Sequence, residues 1–95
     1  MSNDCVPANA CMTMGEVRAA IDAIDGELVT LLRARLDYIE AAARIKTARD
    51  QVHDDWRIND VLAKVAVAAR SANLPEDMAR ALFARLVELS IAHEL

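Results

Sequence analysis

From Val17 onward, apolar residues recur at alternating spacings of four and three: Val17, Ile21, Ile24, Leu28, Leu31, then Arg35, Tyr38, Ala42 and Ile45. This is a heptad seam, the stripe that one long helix presents to a partner. Thr13 stands three residues before Glu16, the capping-box arrangement that satisfies two orphan backbone donors at a helix start. The pattern predicts a first helix over residues 14–47, running through Gly26 although glycine in a helix interior costs about 1 kcal/mol. Residues 1–12 have no periodicity and are expected to form a flexible tail ahead of a helical domain spanning 13–95.

The stretch ARDQVHDD, residues 48–55, is polar and aperiodic, so it reads as a loop with Asp54 or Asp55 capping a second helix. Ile58, Val61, Leu62, Val65 and Ala69 share one face of that helix, which is expected to end near residues 71–73. Pro75, followed by Glu76 and Asp77, opens a third helix. Met78, Leu82, Leu86 and Leu89 line one side of it, with Phe83, Val87 and Ile91 beside them.

Length adds a constraint. A helix of about 34 residues is roughly 50 Å long, whereas a compact chain of this size has a radius of gyration of about 12 Å. The long helix must overhang a single-chain globule while its seam stays apolar throughout. A second copy laid antiparallel is the simplest cover. Composition agrees with the helical reading: hydrophobic residues make up 55% but aromatics only 3%, and alanine forms helices well while burying little area. Gly15, Gly26, Pro7 and Pro75 are the only glycines and prolines, too little punctuation for a strand-and-turn architecture. The expected fold is all-α, three helices (one long, two shorter) in an intertwined homodimer.

A net charge of -4 argues against a general nucleic-acid binder. No segment has the ~20 apolar residues of a membrane span, and no basic segment followed by an apolar run opens the chain, so a cytoplasmic protein is expected. Cys5 and Cys11 lie in the leading segment with no histidine at zinc-ligand spacing, and read as two reduced thiols.

Some residues break the pattern. Arg35 holds a seam position where an apolar side chain is expected, so an anion must meet it. That anion is either a structural partner (Glu27, Asp37 or Glu88) or a ligand. Lys46 lies eleven residues further, about 16 Å along nearly the same face. Arg18 precedes Lys46 by about 42 Å of helix, so only an antiparallel second chain could bring the two together. Arg57 sits in the first turn of the second helix, where a cation is unfavourable unless an anion joins it. Ser90 and Glu94, four apart near the end of the third helix, share a face. On spacing alone that pair reads first as a solvated helix end.

Together these residues resemble the all-helical chorismate mutase family. The segment VRAAIDAIDGELVTLLRARLDYIEAAARIK is similar to that family's long first helix, with an arginine, an "IDxIDxELVxLLxxR" run and a lysine eleven residues on. The resemblance covers residues 14–94 and implies a site shared between two subunits that binds a small dicarboxylate, with no metal and no cofactor. By that resemblance Arg18 from the partner subunit and Arg35 hold the carboxylates, and Lys46 donates to the ether oxygen. Arg57 contacts a carboxylate, with the backbone near Asp54 alongside. Ser90 lines the far wall, and Glu94 faces Lys46 across the ether oxygen.

The implied reaction is the intramolecular rearrangement of chorismate to prephenate, a step of the shikimate pathway. Ile58 departs from the glutamate that many members carry after the second-helix arginine. With LDYIEAAARIK it also resembles the isochorismate pyruvate lyases, which share fold and cationic site, so isochorismate is the alternative substrate. A non-catalytic dimerisation module would account for the heptads but not for Arg35 on the seam or Arg57 at a helix start.

Overall fold

A computed structural model describes residues 5–45 and 55–94. Within them lie three α-helices and no strand: α1 Met14–Ile45, α2 Asp55–Ser71 and α3 Glu76–Glu94. None of these helices is long and apolar enough to cross a membrane. The chain divides into two compact units, residues 1–38 and 39–95.

In the first unit the expected capping box forms. The Thr13 Oγ1 accepts the Glu16 amide at 3.1 Å, and Glu16 Oε1 accepts the amides of Thr13 at 3.1 Å and Met12 at 3.0 Å. Glu16 thus ties off the chain entering α1, where its charge also suits the positive end of the helix dipole. Ahead of the cap, residues Ala8–Ala10 make a single 3-10 turn. The Cys5 thiol lies 3.8 Å from the Ala19 carbonyl and the Cys11 thiol 3.7 Å from that of Val6. Residues 5–12 therefore fold back along the first turns of α1. α1 itself has no buried residue. Its seam residues Ile21, Ile24, Leu28, Leu31 and Tyr38 are all exposed, Leu28 by 50% and Tyr38 by 79%. A shallow groove of about 560 Å³ runs over Ala23, Gly26, Glu27, Thr30 and Leu31.

In the second unit α2 packs on α3. α2 ends in a Schellman motif: Asn73 takes the left-handed conformation (φ 58), its amide bonds the Arg70 carbonyl at 3.1 Å, and the Leu74 amide bonds that of Ala69 at 2.8 Å. Asparagine tolerates this conformation because its short side chain can bond locally. The turn is short, Pro75 follows at once, and Arg70 reaches across to Glu76 at 3.3 Å. The two helices consequently form an αα-hairpin, placing the start of α2 and the end of α3 at its open end.

The hairpin core is made of small side chains: Ala66 and Ala69 from α2, Ala79, Val87 and Ser90 from α3. Of the apolar residues that line α3, Val87 is buried in this core. Phe83 and Leu86 are half-buried, but Met78, Leu82 and Leu89 point outward, Leu82 with 62% exposure. Alanine and serine let the helices approach closely, and dispersion contacts fall off steeply with any gap. The small-residue face therefore goes inward despite the larger transfer energy of the leucines.

Candidate functional site

Arg18 is exposed and Arg35 half-buried on α1. Seventeen residues of helix separate them, a rise of about 25 Å, so both cannot grip one small molecule from the same chain. Two of the structural partners considered for Arg35 are engaged elsewhere. Asp37 takes the Arg33 guanidinium at 2.6 Å, and Glu88 takes Arg85 at 2.8 Å. Lys46 and Asp54, two of the residues singled out by sequence, lie outside the described residues.

At the open end of the hairpin, Arg57 sits in the first turn of α2 beside Asp55. Its Nη1 donates to Asp60 Oδ2 at 2.6 Å, and Lys64 Nζ donates to the same oxygen at 3.0 Å. These two cations, Lys64 first and Arg57 second, hold the Asp60 carboxyl below its ordinary range. Asp60 thus satisfies the need for an anion near Arg57 within the chain itself. Its position three residues after Arg57 and four before Lys64 was a readable helical ion-pair signal. Ile58, next to Arg57, is half-buried and presents no polar group.

Ser90 and Glu94 do not form the solvated helix end that their spacing first suggested. Ser90 is only 6% exposed, and its Oγ donates to the Leu86 carbonyl at 2.8 Å. Glu94 is half-buried, and its Oε1 is shielded from solvent with no hydrogen-bond partner among the described residues. Such an oxygen is costly to leave unsatisfied. It marks a place where a hydrogen-bond partner is wanted.

One long-range contact stands apart. His93 Nε2 lies 3.1 Å from Glu40 Oε2, joining the last turn of α3 to α1 across 53 positions of sequence. No periodicity links residues so far apart, so sequence reasoning had no access to it. Among the described residues, no group of three or more His, Cys, Asp or Glu is placed to hold a metal ion.

With this geometry in hand, the sequence relationships are informative. Residues 17–95 match the family described as chorismate mutase type II. The chain is also 31% identical over 85 residues to an isochorismate pyruvate lyase of Pseudomonas aeruginosa, covering 90% of this chain and 84% of that protein.

Proposed function

This chain belongs to the chorismate mutase type II family, and we propose that it catalyses the rearrangement of chorismate to prephenate in a homodimer whose sites draw residues from both copies. The observation that carries the reading is Arg35, a half-buried arginine in an otherwise apolar seam, inside the matched span. A dimerisation surface alone gives no reason to put an arginine there.

The exposed seam of α1 and the 25 Å between Arg18 and Arg35 support the second copy. With α1 antiparallel to its counterpart, Arg18 of one chain joins Arg35 and Lys46 of the other. The two guanidiniums pin two carboxylates bidentately and select the folded conformer in which the bond-forming carbons meet. Lys46 meets the charge that grows on the ether oxygen as the C–O bond breaks, a stabilisation felt only in the transition state. Arg57, released from or shared with Asp60, assists at a carboxylate beside Asp54. Ser90 walls the site, and the Glu94 carboxyl faces the ether oxygen.

A second reading, elimination of pyruvate from isochorismate, has its own support. Ile58 offers no partner for a ring hydroxyl, and the P. aeruginosa relative bears that activity in its name. The same cations would clamp the isomer. Assaying the purified protein with chorismate and isochorismate in parallel tests both: prephenate formation from chorismate is expected. Turnover of isochorismate alone would install the lyase, and turnover of neither would remove both.

A further inference from the structure

The contact between His93 and Glu40 has no part in the roles assigned above, yet it binds the turn of α3 that carries Glu94. We propose that His93 is a positioning residue for Glu94, held by Glu40 so that the end of α3 stays wound while the Glu94 carboxyl faces the site. The inference rests on the reading of Glu94 as a group facing substrate.

Successive helix residues are turned by about 100°, so Glu94 and Ser90 lie near one face and His93 lies on the flank beside them. Ser90 is buried and Glu94 half-buried, whereas His93 reaches Glu40 on α1 at 3.1 Å. An ionised carboxylate only accepts hydrogen bonds, so Nε2 carries the proton in this contact. Both side chains are roughly half exposed, and pairs of this kind barely move global stability. A helix terminus is different, because its opening free energy is close to zero. There a weak contact decides how often the last turn is formed, and hence how often Glu94 is in place.

The test combines steady-state kinetics with amide hydrogen exchange on the full chain. His93→Ala and Glu40→Ala should each lower kcat by about fivefold with little change in KM, and speed exchange of residues 91–94 while leaving the hairpin core protected. His93→Gln, which retains a donor, should recover most of the loss. In a Glu94→Ala background, His93→Ala should cost nothing further, because the group it positions is gone. An equal loss in that background, or no loss where Glu94→Ala is itself damaging, overturns the proposal and leaves the functional reading intact. Wild-type protein inert toward both chorismate and isochorismate overturns the functional reading instead. Exchange then decides the clamp alone, and unchanged protection of residues 91–94 in His93→Ala sinks it.

Discussion

Along α1 as far as Tyr38, the large apolar side chains Ile21, Ile24, Leu28 and Leu31 stay exposed, whereas the α2–α3 hairpin closes on a core of alanines, Val87 and Ser90. The first region buries none of its bulky hydrophobes, whereas the hairpin buries Val87 among small side chains. The hairpin satisfies itself because its two helices are joined by a short turn and share a small-residue face. Among the described residues of its own unit, the first part of α1 has only residues 5–12 folded along its opening turns. An apolar helix face that its chain leaves open is complementary to something else, and a second copy is what we propose covers it.

Charge on the two faces tests this contrast most severely. Leu28→Glu and Leu82→Glu alter similarly exposed leucines, at 50% and 62%. If a second copy covers α1, Leu28→Glu should break the assembly and cost more than about 3 kcal/mol. Leu82→Glu, on the outer face of the hairpin, should stay within about 0.5 kcal/mol. Sedimentation and thermal melts decide; equal, small effects would erase the distinction between the regions.

Activity gives the next largest effect. Arg18→Ala and Arg35→Ala homodimers should each lose about a hundredfold or more in kcat/KM. Mixing them after subunit exchange should restore activity, since one of the two sites then carries neither lesion. Failure to recover in verified heterodimers would confine each site to one chain and dissolve the shared-site argument.

Gly26 sharpens the comparison at a finer scale. A Cβ there meets nothing within 4 Å in the chain, so Gly26→Ala should raise stability by about 1 kcal/mol through helix propensity alone. A fall in Tm would instead place a second helix in close approach over Gly26.

The smallest effect belongs to Asp60 in the hairpin. Its carboxyl is held below the ordinary range by Lys64 and Arg57, so its contribution is present above the unfolded carboxyl value and fades as pH falls through the folded one. Asp60→Asn should lower Tm slightly at neutral pH, and the gap to wild type should close below about pH 4. A gap that persists in acid would assign the loss to something other than charge.

Sequence alone determined what is local: the Thr13–Glu16 cap, the run of α1 through Gly26, the end of α2 near residues 71–73 and the opening of α3 at Pro75. These follow from propensities, caps and periodicities that act within a few residues. It also singled out Arg35, because a charge on an apolar stripe is conspicuous without any neighbour, and the likeness of α1 to its family brought Arg18 and Lys46 with it. Tertiary structure decided the rest. It turned Ala79 and Ser90 inward rather than Met78, Leu82 and Leu89, because interhelical fit depends on the shape of both surfaces together. It drew Glu94 out of solvent and joined His93 to Glu40, a pairing between positions that share no period. Composition and spacing describe one face at a time, and which two faces meet is a property of the pair.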